Sequence, residues 1–156
     1  MASDESGTPM HLETFKASAK GTGWPTSVSI TGSEWSFQID ESKEDGGSNS
    51  GPNPMHHFVA SLAGCQNEQA QVVAEELGLD AGELSLAVEF DLSLDGFMGE
   101  ADNSEGCFQS VRLSGVVKGL TNEQAANLGE RVDARCPILS LLRSSGASIT
   151  SEWSGA

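Results

Sequence analysis

Apolar positions along this chain recur in short groups whose spacing switches between two and roughly three to four, so strands and helices are both predicted. His11–Ala19 reads as a strand, and Thr26–Thr31 and Glu34–Asp40 alternate apolar and polar residues. Thr31-Gly32-Ser33 between the last two is turn chemistry, which makes them a hairpin. Residues 41–53, ESKEDGGSNSGPN, are charged and rich in Gly and Ser, and read as a loop flexible enough to be a lid or a plain connector. Pro54 opens the longest helical pattern, running to Leu77 with Asn53 as N-cap, and Gly78 ends it as a left-handed cap. Phe58, Leu62, Cys65, Gln69, Val72 and Val73 are predicted to share the buried face of this helix. Ser85–Leu94 alternates strictly enough for a half-buried strand. Asp95–Gly106 is a glycine- and acid-rich connection, and Cys107–Lys118 is a second long strand. Thr121 with Gln124 forms a capping box for a helix that reaches about Arg135, where Cys136-Pro137 breaks it. A short helix over 138–143 and a strand near 147–153 follow. Strand runs with helices set between them predict an α+β fold with largely antiparallel sheets.

Composition narrows the picture. The 156 residues predict one domain over 11–156 after a disordered start at 1–10. No run approaches the ~20 apolar residues that span a bilayer, and the acidic first residues are unlike a signal peptide, so a cytoplasmic location is expected. There are 23 Asp+Glu against 8 Lys+Arg, a net charge of −15, spread along the whole chain. Such a surface repels nucleic-acid phosphates and anionic lipid, so neither partner is expected. It also repels itself until salt screens it, as expected of a protein adapted to a salt-rich cytoplasm.

The chemistry-bearing residues are three cysteines, Cys65, Cys107 and Cys136. Their odd number and wide spacing make no secreted disulfide framework, and no C-x-x-C suggests zinc or a thioredoxin-type site. Each is then either a small buried hydrophobe or a reactive thiol, and composition leaves both readings open.

Three motifs, in this order, carry a resemblance: Asn53-Pro-Met-His-His-Phe-Val-Ala-Ser-Leu-Ala-Gly-Cys65, the turn Leu94-Asp-Gly-Phe-Met-Gly99, and Ala134-Arg-Cys-Pro-Ile138. Over roughly residues 12 to 153 the chain resembles the OsmC/Ohr family of organic hydroperoxide reductases. The resemblance implies an intertwined homodimer in which two central helices pack between curved antiparallel sheets. It implies that Cys65 is peroxidatic, attacking the O–O bond and becoming a sulfenic acid. Cys136 would be the resolving thiol that closes a disulfide, later reduced by a dithiol such as a lipoyl protein. It implies no metal and no organic cofactor, and it gives Cys107 no role.

Two departures stand beside it. Peroxidatic members carry a Glu after Asn-Pro, where this chain has Met55. They also carry an Arg in the loop after the first strand, and Lys20–Thr26 has none. That arginine would favour the thiolate, and the glutamate would hold the arginine. Either His56 or His57 is a candidate to supply positive charge instead, or each simply faces solvent in the first helical turn. Glu68 is placed to accept a hydrogen bond near Cys65 or to stand exposed. Lys16 and Lys20 are the cations nearest the missing arginine, though lysine lacks its bidentate fork. Trp24 and Phe97 are candidate apolar walls for a bulky hydroperoxide, and equally plain core residues. Alternatives to the peroxidase are a related protein handling other sulfur or thiol-reactive small molecules, and a redox-inactive dimeric stress or binding protein.

Overall fold

The computed structural model describes residues 11–95 and 108–156. The expected disordered start, Phe97 and Cys107 all lie outside them. The chain forms two compact units, residues 1–55 and 56–156.

The first unit holds a sheet in the order β1-β2-β3, with β1 Ala17–Lys20, β2 Thr26–Ile30 and β3 Ser36–Ile39. Both pairings are antiparallel, and the expected hairpin is present. Gly32 takes φ +88° in its turn, where a side chain would be strained. The first strand is shorter than the predicted 11–19. Its partner β2 ends at Ile30 because the chain turns there, so residues before Lys16 have no ladder to join.

Segment 41–51 is not the loose connector its composition suggests, and the reason is one carboxylate. Asp40 is fully buried and accepts hydrogen bonds from the Ser48 hydroxyl (2.6 Å), the Ser50 amide (2.8 Å), the Ser50 hydroxyl (2.8 Å) and the Glu41 amide (2.9 Å). Led by the Ser48 hydroxyl, these donors hold the Asp40 carboxyl far below the usual carboxylate range. A depressed carboxyl stabilises the fold at pH above its unfolded value of ~3.9, and the contribution fades as pH falls below that. Asp40→Asn replaces two acceptor oxygens by one and adds an unwanted donor. It should expose 41–51 to limited proteolysis at neutral pH, and wild type should acquire the same sensitivity only in strong acid. Equal resistance of the two proteins at pH 7 would show that Asp40 does not organise the loop.

The second unit is built from α1 Pro54–Glu76, whose first two residues belong to the first unit, then β4 Leu84–Leu92, β5 Phe108–Val117, α2 Asn122–Arg135, α3 Pro137–Ser144 and β6 Ser148–Gly155. Gly78, at φ +63°, ends α1 as expected, with its amide bonded to Glu75 O and the Leu79 amide to Ala74 O. Thr121 and Gln124 form the expected capping box on α2.

β4 and β5 pair antiparallel, but β6 lies parallel to β5 in the order β4-β5-β6. Three of the four strand pairings among the described residues are antiparallel, in keeping with the expected largely antiparallel pattern, and β6 is the exception. Two helices intervene between β5 and β6, and such a crossover returns the chain in its original direction.

Two apolar clusters form the core of this unit. One gathers Ala70, Val73 and Ala74 of α1 with Leu128 and Val132 of α2. The other gathers Leu62, Val111, Cys136, Leu139 and Leu142. The buried face of α1 is thus rotated from the predicted one. Leu62, Gln66, Ala70, Val73 and Ala74 are inside, whereas Val72 is 44% exposed.

Candidate functional site

Cys136 sits where two helices meet, and local sequence dictates why. Its amide still bonds to Val132 O, closing α2. Pro137 forbids it a helical conformation, so it adopts φ −70°, ψ 114°. The same residue is the N-cap of α3, its carbonyl accepting from the Ser140 amide. Helical hydrogen bonds flank this corner on both sides, and the Cys136 side chain is fully buried.

Cys65 occupies the middle of α1 and is half-buried. Its Sγ lies 2.8 Å from that of Cys136, across 71 residues of sequence, and both are free thiols. A disulfide needs ~2.05 Å between sulfurs, so closing one requires less than an ångström of approach. Around the pair stand Leu62, Leu139, Ile138 and an aromatic group. Phe58 and Phe108 stack at 5.1 Å, and Phe90 meets both edge-on at 6.3 and 5.1 Å. The side chains packed around the pair are apolar.

The electrostatics oppose a ready thiolate. Burial first, and the Cys136 thiol second, push the Cys65 thiol up, to about 12. The charge of Glu68 adds to the rise, while the Ile138 amide in the first turn of α3 pulls the other way. Glu68 is exposed and acts on Cys65 through its negative charge, which works against a thiolate. His56 is exposed and His57 half-buried in the first turn of α1, and the His57 carbonyl accepts from the Ser61 hydroxyl. Trp24 belongs to the first unit and is 45% exposed. Met55 is 38% exposed.

Sequence reasoning did not single out the Ile138 amide or the buried Gln66. The proline that starts α3 was a usable signal for the amide, since it marks where free helix N–H groups point. For Gln66, its place four residues after Leu62 and four before Ala70 was the available clue.

No functionally curated protein matches the chain. Solved structures do. The fold is similar to the organic hydroperoxide resistance protein OsmC of Legionella pneumophila, 23% identical, with 91% of this chain and 97% of that one covered at a TM-score of 0.72. It is similar to an organic hydroperoxide resistance protein of Elizabethkingia anophelis, 22% identical, covering 94% and 99% at 0.74. It is also similar to an OsmC-like protein of Mycoplasma pneumoniae, 13% identical, covering 89% and 96% at 0.74. The α+β fold is therefore that of the OsmC/Ohr structures. The family pattern described as OsmC-like protein matches residues 47–152, more than half of the sequence, and the chain belongs to that family.

Proposed function

We propose that this protein is a thiol peroxidase that reduces organic hydroperoxides through Cys65 and Cys136. The observation that carries the reading is the 2.8 Å approach of the two sulfurs. The Cys65 thiolate attacks the terminal oxygen of the hydroperoxide; the O–O bond breaks, the alkoxide leaves and takes a proton from solvent to become the alcohol, and Cys65 becomes a sulfenic acid. Cys136 then attacks that sulfur, water leaves, and a disulfide forms. A dithiol reductant returns both thiols. The apolar wall of Phe58, Phe90 and Phe108 favours organic hydroperoxides over hydrogen peroxide. Because Cys136 is fully buried and already adjacent, the sulfenic acid has a partner before a second peroxide can reach it.

One equivalent of tert-butyl hydroperoxide should yield a Cys65–Cys136 disulfide, read by mass spectrometry as a loss of about two hydrogens. If both thiols stay reduced under excess hydroperoxide while the fold is intact, the peroxidase reading is wrong.

The raised thiol of Cys65 favours a second reading, in which the same pair handles another thiol-reactive or sulfur-containing small molecule. In that case the disulfide should form with a generic thiol oxidant but not with hydroperoxide.

The reading also carries the family's intertwined homodimer. Its support is the first unit, where Phe15 is 84% and Trp35 77% exposed and Val28 is the buried apolar strand residue. A three-stranded sheet with so little covered apolar surface needs a second layer. Sedimentation in molar potassium chloride should give about twice the 16.3 kDa chain mass. Melting temperature should rise from low salt to that condition as the net charge of −15 is screened. A monomer in high salt sinks the first claim, and a flat melting curve sinks the salt adaptation.

A further inference from the structure

The last carbonyl groups of α2 have to find donors where that helix gives way to α3. Val132 O is satisfied by the Cys136 amide at 3.1 Å. The next carbonyl, that of Asp133, would take the amide four residues on, but that residue is Pro137, which has no N–H. Asp133 is buried, at 7% exposure, where an unpaired carbonyl is costly. Arg143, in the last turn of α3, supplies the donor: its Nη1 donates to Asp133 O at 2.9 Å. The guanidinium also brings positive charge to the C-terminal end of α2, where the helix dipole is negative.

This bond crosses the corner that carries Cys136. α2 ends at Arg135 and α3 starts at Pro137, so Cys136 is the single residue between two helices. The angle between them is therefore set by the Cys136 torsions, φ −70° and ψ 114°, and its flanking peptides. A change in that angle turns α3, the Cys136 Cβ or both relative to α1, and with them the sulfur that lies 2.8 Å from Cys65 Sγ. We propose that Arg143 is a positioning residue for the cysteine pair: by donating to the Asp133 carbonyl in place of the amide that Pro137 lacks, it fixes the angle between α2 and α3 and holds Cys136 Sγ at closing distance. Leu139 and Leu142 also seat α3, but through apolar burial, which has no preferred direction. A hydrogen bond weakens steeply as its angle departs from linear, so it adds the directional restraint that burial lacks. This role rests on the pair being able to close a disulfide, but not on hydroperoxide being its oxidant.

The test uses the full chain in glutathione buffers of varied ratio at one pH. Oxidised glutathione takes up two electrons as the protein S–S bond forms, and departs as two reduced glutathione molecules carrying the two thiol protons. The Cys65–Cys136 bond is quantified by acid quench, alkylation and peptide mass spectrometry, and its equilibrium constant measures how well the fold presents one thiol to the other. Arg143→Met keeps an apolar stem and removes the donor, and should lower that constant about tenfold relative to wild type. Arg143→Lys retains a cationic donor and should recover most of the loss. Arg143→Gln, whose amide falls short of the carbonyl, should lose as much as Arg143→Met, and it decides the matter should the methionine variant not fold. Thr121→Ala removes the capping box at the other end of α2 and controls for lost stability: it should melt lower while its closure constant stays at the wild-type value. A wild-type constant in folded Arg143→Met or Arg143→Gln overturns the proposal. So does an equal loss in Arg143→Lys and Arg143→Met, or a loss in Thr121→Ala as large as theirs, because closure would then follow stability and not the bond. Should wild type close no disulfide at any glutathione ratio, the cysteine-pair reading falls and takes the Arg143 role with it. Normal closure in wild type with no effect of Arg143→Met removes the Arg143 role alone.

Discussion

Cys65→Ser should abolish hydroperoxide consumption, because serine supplies no sulfur to oxidise and the adjacent Cys136 is fully buried. Cys136→Ser should still consume the first equivalent, but its sulfenic acid then lacks the thiol 2.8 Å away and should proceed to sulfinic acid, seen as a gain of two oxygens. The pH profile carries the sharper expectation. Cys65 is pushed up to about 12 by burial and by Cys136, so below that value its thiolate fraction climbs about tenfold per pH unit. Wild-type reaction with tert-butyl hydroperoxide should therefore keep accelerating past the ~8.5 of an ordinary thiol instead of levelling there. Glu68→Gln removes a negative charge that raises the thiol, and should speed the reaction at neutral pH by a few-fold without changing the disulfide formed. A rate plateau near neutrality would mean that the thiolate is stabilised by a group absent from the described residues. A Cys65→Ser protein with full activity would remove the site altogether.

Gly129→Ala should lower stability by about 3 kcal/mol, although alanine is ordinarily the better helix former by ~1 kcal/mol. The reason is Trp153. Its ring lies flat against α2, and a Cβ on Gly129 would fall onto ring atoms Cγ and Cδ1. The ring is crowded from β5 as well, where a Cβ at Gly115 would stand 2.7 Å from Trp153 Cε3. The overlap therefore has to be relieved by moving the helix, and that cost exceeds the gain in propensity. For a chain of this size the melting temperature should fall by roughly 6–12 °C. Adding Trp153→Leu to Gly129→Ala should recover part of the loss, a non-additivity that a simple helix effect would not show. If Gly129→Ala melts at or above wild type, the tryptophan is not seated between β5 and α2.

The local elements were legible because the signals that make them act over a few residues. Thr121 and Gln124 satisfy each other's backbone N–H groups wherever the helix sits. Gly78 accepts a left-handed φ because it lacks a Cβ, and Pro137 excludes helical geometry at Cys136 by steric contact alone. The alternation of β4 appears as half-buried Leu84, Leu86, Val88 and Phe90 against exposed neighbours. What failed was the choice among faces. On α1, small residues such as Ala70 and Ala74 and a polar Gln66 carry little hydrophobic signal, so Val72 looked like core. Burial went instead to the stripe that joins Leu128 and Val132 of α2 in one cluster, because packing rewards shape as well as apolarity. The loop after β3 was misjudged in the same way, since its Gly and Ser residues look mobile until Asp40 is placed among their hydroxyls.

The cysteine pair divides along the same line. Sequence alone marked Cys65 mid-helix and Cys136 at a helix break, with motifs similar to those of a redox family. It left open whether two thiols 71 residues apart would touch. That was decided by the packing of α1, β5 and α3 around Leu62, Val111 and Leu139, which brings the sulfurs to 2.8 Å. It also depended on the parallel return of β6 beside β5 after two helices. The acid strength of Cys65 is likewise a tertiary property. A thiol on an isolated helix keeps its ordinary value, and only burial and a second sulfur beside it move it upward. Helix ends and turns follow from bonds and contacts that the chain makes with its near neighbours. Which distant side chains meet depends on the summed burial of the whole unit, and no short stretch of sequence contains that sum.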